Sequence, residues 1–152
     1  MLRMFLSLLA LIGLTACAVP SEPPAPPATD TLTAVIDLSD QTLVATRTYA
    51  DGRVMGWKTP VSTGRPGYQT PTGIFHPFYL SKEHKSSLYE DAPMPWSVFF
   101  NGDVAVHGTY EQTLLGQPVS HGCVRVHTAF AERFFDMVRE VGKANTTIIV
   151  QD

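Results

Sequence analysis

Residues 18–30 read AVPSEPPAPPATD, and this tract decides what the rest of the chain can become. Five of its thirteen residues are proline and none is aromatic. Proline offers no amide hydrogen and fixes φ, so the tract reads as an extended, polyproline-like tether of about 40 Å at ~3.1 Å per residue. A ligand for an SH3-type domain is the competing reading, and it makes little sense outside a cytoplasm. Beyond the tether, residues 31–152 leave 122 residues for one folded module. A domain of that size buries roughly two thirds of its unfolded surface and needs neither disulfide nor metal to fold. Two cysteines, Cys17 and Cys123, are too few for a disulfide-dense scaffold or a four-thiolate zinc ribbon. The formal net charge is −3, or −4 without residues 1–16, whose only charged side chain is Arg3. With no Lys/Arg cluster, a nucleic-acid partner is not expected.

Residues 1–16, MLRMFLSLLALIGLTA, put a basic start before an apolar run from Met4 to Leu14. That is the length of an export-signal core, whereas about 20 apolar residues would be needed to span a bilayer. The run ends in Leu14-Thr15-Ala16-Cys17, which resembles a bacterial lipobox. The resemblance implies that residues 1–16 are a lipoprotein signal peptide and that Cys17 is lipidated and becomes the new N-terminus. Several acyl chains suffice for stable anchoring. An ordinary signal containing Cys17, or a short membrane anchor, are the competing readings. The expectation is an exported protein, lipid-anchored at the periplasmic side of a bacterial membrane. Ala18 after the cysteine favours the outer membrane in a Gram-negative cell.

The module reads as mainly β, without repeats. Thr31–Leu38 and Thr42–Tyr49 are β-branched and partly alternating, joined by a turn at 39–41. Val54–Val61 is a third strand, and 62–73, rich in Gly, Pro, Ser and Thr, is a loop. Ile74–Leu80, Trp96–Phe100, Val104–His107 and Thr146–Val150 are further strands, with Asn101-Gly102 as a hairpin signal. One helix is expected over Ala129–Val141, capped by Thr128 and ended by Gly142, with Phe130, Phe134, Met137, Val138 and Val141 at core spacing.

Cys123 lies in Ser120-His121-Gly122-Cys123-Val124-Arg125. Once Cys17 is lipidated, Cys123 has no partner in the chain, and an unpaired exported thiol invites oxidation. An inert buried thiol would sit among apolar neighbours. Two histidines, a glycine and an arginine within four residues instead favour a thiolate nucleophile. His107, ending a strand before Gly108-Thr109, is the candidate base, with His121 as its rival. Gly122 lets a substrate carbonyl approach, and the amides of Gly122 and Cys123 are candidate oxyanion donors. His76 and His84, the latter in a charged loop, have bland readings, and His127 reads as structural or capping. Zinc held by His107, His121, Cys123 and His127 is the alternative chemistry. The spacing matches no common zinc pattern, so neither a metal nor a cofactor is expected.

His107-Gly108-Thr109 followed sixteen residues later by the cysteine of Ser120-His121-Gly122-Cys123-Val124-Arg125 resembles the signature of the L,D-transpeptidases, the YkuD-type bacterial cell-wall domain. Pro60-Val61-Ser62-Thr63-Gly64, Thr70-Pro71-Thr72-Gly73-Ile74-Phe75, Met94–Phe100 and Leu115-Gly116-Gln117-Pro118 extend the likeness over about residues 32–150. It implies a YkuD-like β-sandwich with one substantial helix after the catalytic cysteine, which lies in a cleft under a mobile lid. It further implies a thioester acyl-enzyme on Cys123, formed from a peptidoglycan tetrapeptide donor with release of D-alanine and resolved into a 3→3 cross-link. His107 would carry the proton, oriented by a carbonyl of Gly108 or Ser120. Gly122 would supply the oxyanion backbone and His121 would shape the site. Ser120, Gly108 and Arg125 would bind substrate, Arg125 through a carboxylate. Arg125 stands where some members carry asparagine, and 142–147 lacks the family's Gly-Thr-Pro turn. A protein, a D-amino acid or water as acceptor is the second reading. A non-enzymatic wall-binding or zinc module is the third. A papain-like or NlpC-type peptidase fits less well, since only His127 follows Cys123, four residues on.

Overall fold

The computed structural model describes residues 29–87 and 89–152. The signal peptide, Cys17 and most of the tether lie outside the described residues. Among the described residues, nine strands form two sheets with one α-helix: β1 (Thr31–Asp37), β2 (Thr42–Thr48), β3 (Val54–Pro60), β4 (Gly73–Phe75), β5 (Tyr79–Lys85), β6 (Pro93–Asn101), β7 (Val104–Thr109), β8 (Val124–His127), α1 (Thr128–Val141) and β9 (Thr146–Gln151). One sheet runs β3-β2-β1-β9-β4 and the other β5-β6-β7-β8. The fold is thus mainly β, as expected.

Alternation explains the first sheet. Leu32, Ala34 and Ile36 of β1, Leu43 and Ala45 of β2, and Ile148 and Val150 of β9 point inward, and all are buried. At the β1–β2 turn the Asp37 carboxylate accepts from Ser39 Oγ and the Asp40 amide, both at 2.8 Å. The buried Gln41 that ends this turn reaches the 62–73 loop. Its Nε2 donates to Thr63 Oγ1 at 2.6 Å, and its Oε1 accepts from the Thr63 amide at 3.0 Å.

α1 fills the space between the sheets. Ala131, Phe134, Phe135, Met137, Val138 and Val141 form its buried face, packed chiefly on β6 and β7. Phe130 is only partly buried at the edge of this core. The helix ends at Gly142, whose φ of 91° suits glycine, while the Asn145 side chain caps the Val141 carbonyl at 3.1 Å. The start differs from expectation. His127 is the N-cap, and Thr128 Oγ1 instead donates to the Thr109 carbonyl at 3.2 Å, tying the helix to β7.

Two further elements depart from the sequence reading. Ile74–Leu80 is not one strand. β4 pairs with β9 in the first sheet, and β5 pairs with β6 in the second. Pro77 stands between them, where its missing amide and fixed φ end one ladder before the next begins. β5 also runs on to Lys85, which makes His84 a strand residue rather than a loop residue. β8 is the short strand that pattern alone did not separate from the glycine turn before it.

Candidate active site

β7 and β8 pair in parallel, with Val106 opposite Val124 and His107 opposite Arg125. Alternation sends Val106, Val124 and Val126 into the core, so His107 and Arg125 share the other face, and Cys123 immediately precedes β8. Cys123 packs against a second, small apolar cluster of Met94, Phe99 and Ala105. A cavity of about 420 Å³ opens on this face, lined by His107, Ser120, His121, Cys123 and Arg125. Its far wall is the β5–β6 hairpin, including His84, Tyr89 and Met94. The hairpin tip folds back on itself, with the Ser86 amide on the Ala92 carbonyl at 3.0 Å and the Ala92 amide on the Tyr89 carbonyl at 2.8 Å.

His107 is almost fully buried. Its Nδ1–H donates to the carbonyl of Gly108 at 2.8 Å, which leaves the lone pair on Nε2. Burial lowers its pKa to about 4 despite that hydrogen bond, and Arg125 and His84 push in the same direction. The imidazole is therefore neutral at pH 7. Gly108 itself does not line the cavity. A Cβ there would stand 3.1 Å from Thr128 Cα and 3.2 Å from Pro95 Cγ, so Gly108 is the closely packed seat of the histidine and not part of the cavity wall.

The surroundings of the sulfur work against the expected thiolate. Burial raises the Cys123 pKa, opposed by the Ala105 amide and Arg125 and reinforced by Asp103. The thiol lies 3.5 Å from the Asp103 carbonyl. Neighbours in sequence suggested a cationic pocket, but the apolar cluster beneath the sulfur outweighs them.

The turn carrying the cysteine is held by two hydroxyls. Ser120 Oγ accepts the Gly122 amide at 3.1 Å and donates to the Cys123 carbonyl at 2.6 Å. Thr70 Oγ1 accepts the Gly64 amide at 3.0 Å and donates to the Gly122 carbonyl at 2.8 Å. This corrects the oxyanion assignment, because the Gly122 amide is already committed to Ser120. Gly122 adopts φ +116°, a conformation that side-chain-bearing residues rarely take. Around it the 62–73 loop forms a cradle. Ser62 exchanges backbone hydrogen bonds with Arg125 at 2.9 Å each way, and the Ser120 amide donates to the Thr63 carbonyl at 2.9 Å. Gly64 admits no side chain, since a Cβ would fall 1.9 Å from the Tyr68 carbonyl oxygen.

His121 is not placed as a competing base. Arg65 Nη1 donates to its Nδ1 at 3.5 Å. Its ring lies between Tyr68, edge-on at 4.9 Å, and Tyr89 at 4.4 Å. Desolvation, Arg65 and Arg125 lower its pKa. Arg125 reaches the cavity and pairs with Glu111 at 3.2 Å. His127 turns away to Gln112, 3.0 Å distant. Among the described residues no cluster of three or more His, Cys, Asp or Glu side chains could hold a metal ion.

Sequence reasoning missed Thr70, His84 and Tyr89. Thr70 sat in a recognised motif, but nothing in that motif said which of its hydroxyls bonds. His84 carried a strand signal, hidden by the surrounding charges.

Fold and site together define a two-sheet catalytic-type domain with a thiol and an imidazole in one cleft. A family model described as YkuD, L,D-transpeptidase catalytic domain, matches residues 32–150, and the chain belongs to that family. No match is found among curated proteins. Solved structures do resemble it. The L,D-transpeptidase LdtMt1 in complex with imipenem is 26% identical, with TM-score 0.67 over 80% of this chain and 59% of that one. An L,D-transpeptidase from Mycobacterium smegmatis is 26% identical, with TM-score 0.67 over 81% and 59%. One from Stackebrandtia nassauensis is 28% identical, with TM-score 0.66 over 80% and 56%. The chain thus spans less than two thirds of the length of these structures.

Proposed function

We propose that this cleft performs acyl transfer on peptidoglycan stem peptides through a thioester on Cys123. The observation that carries the reading is that Cys123 and the neutral, Gly108-tethered His107 line the same cavity. His107 Nε2 accepts the thiol proton as sulfur attacks the carbonyl of the donor's L-centre. The tetrahedral oxyanion collapses, the C–N bond breaks, and His107 returns the proton to departing D-alanine. An acceptor amine then attacks the thioester, gives its proton to His107, and the thiol is regenerated as the 3→3 amide forms. Burial works against charge on both groups, which favours proton transfer together with attack.

Arg125 would bind a substrate carboxylate. Its present partner, Glu111, is largely exposed, and such pairs contribute only about 0–1 kcal/mol, so a bidentate carboxylate displaces it at little cost. His121, wedged between two tyrosines, would form the wall against which the donor peptide lies. Cys17, lipidated, would hold the domain at a periplasmic membrane face, and the tether would let it reach the wall. A protein, a D-amino acid or water as acceptor uses the same first half-reaction.

Incubation of the full chain with disaccharide-tetrapeptide tests this by mass. Loss of D-alanine with formation of a dimer is expected. Disaccharide-tripeptide alone would identify water as the acceptor, and unchanged substrate would overturn the reading.

A further inference from the structure

The Gly122–Cys123 peptide is trans, and in a trans peptide the carbonyl and the following amide point in opposite directions. The carbonyl of that unit is held by Thr70 Oγ1 at 2.8 Å, and Thr70 is buried on the loop side of the turn. The hydroxyl is itself fixed by the Gly64 amide at 3.0 Å, so it has a defined direction in which to donate. On either side Ser120 Oγ fixes the neighbouring peptide units through the Gly122 amide and the Cys123 carbonyl. With the Gly122 amide held by Ser120, the amide of Cys123 itself is the one on the sulfur's own residue that can meet a developing negative oxygen.

We propose that Thr70 is a positioning residue: by pinning the Gly122 carbonyl it turns the Cys123 N–H toward the carbonyl oxygen of the bound acyl donor. This rests on the acyl-transfer reading above. Thr70 does not touch the thiol or the substrate, and its effect runs entirely through one peptide plane. Removing its hydroxyl frees that plane to rotate and leaves the Gly64 amide and the Gly122 carbonyl unpaired.

The test compares two reactions of the same sulfur. Acylation by imipenem passes through an oxyanion, and alkylation by iodoacetamide does not. In Thr70→Val, acylation should slow by about 10²-fold, the scale for losing one oxyanion donor, while alkylation keeps its wild-type rate. Thr70→Ser, which keeps the hydroxyl, should acylate within a few-fold of wild type. Equal slowing of both reactions, or of neither, overturns the proposal. Wild-type protein that alkylates but never acylates overturns the acyl-transfer reading itself and the proposal with it. Unmodified protein supplies a readout that needs no variant. On acylation the amide proton of Cys123 should move downfield in NMR while that of Gly122 stays, and a stationary Cys123 resonance would also overturn the proposal.

Discussion

One face of the β5–β6–β7–β8 sheet carries Val98, Phe100, Val106, Val124 and Val126, all in the main core. The other carries Phe99, Ala105, His107 and Arg125 and opens on the cavity. Both faces come from the same two-residue alternation, one residue out of step. The core face is held by many interchangeable apolar contacts, so its energy is spread out. The cleft face depends on a few groups, each with a specified partner: His107 on Gly108, Gly122 on Ser120 and Thr70. Apolar burial is present on the cleft face too, under Cys123, and there it sets protonation.

The largest break between the faces comes from paired substitutions. Cys123→Ala should abolish acylation by imipenem, read by mass, while leaving the thermal midpoint nearly unchanged. Phe134→Ala, on the core side, should cost about 3–5 kcal/mol of stability in denaturant unfolding, yet Cys123 should still acylate in the fraction that is folded. A Cys123→Ala protein that unfolds, or a Phe134→Ala protein of normal stability, would erase the division.

Next in size is the acid response. The pKa of His107 falls from 6.5 in the unfolded chain to about 4 in the folded one. The unfolded state therefore binds the proton first, and stability present above pH 6.5 is lost as pH falls toward 4. The loss is about 3 kcal/mol at 1.36 kcal/mol per pKa unit. Unfolding free energies measured at pH 7 and pH 4 should show it, and His107→Asn should remove most of the difference.

The smallest effect concerns the thiol. Because burial raises its pKa, the iodoacetamide rate of Cys123 should keep climbing above pH 9. A plateau near neutrality would mean a preformed thiolate, and the apolar cluster beneath the sulfur would not govern it.

The core face was largely legible in the sequence. Strands β1, β2, β3 and β9 of the first sheet and α1 match the sequence reading within a residue or two, because burial there follows period 2 or 3.6. The cleft face was legible as a set of residues but not as a geometry. Cys123 and His107 stood out as an unpaired thiol and a strand-end imidazole. The protonation of the thiol did not, because it depends on Met94, Phe99 and Ala105, whose arrival beneath the sulfur is tertiary. Pro77 was readable as a break and was overridden by the aromatic run around it. The sequence alone leaves the Gly122 amide to substrate, because it does not say where Ser120 Oγ points.

β9 carries a consequence for how the chain comes together in time. It lies between β1 and β4, parallel to the first and antiparallel to the second. Leu32 pairs with Thr146 across almost the whole length of the module. Until β9 arrives, β1 presents a bare edge and β4 has no partner in the sheet. Such edges recruit other chains. The β1–β2–β3 meander can form early from local contacts, whereas the sheet closes only on the last strand described, which makes its arrival the slow, aggregation-exposed step. A chain shortened before Thr146 should therefore fail as a whole, cleft included, although every residue proposed for chemistry would still be present.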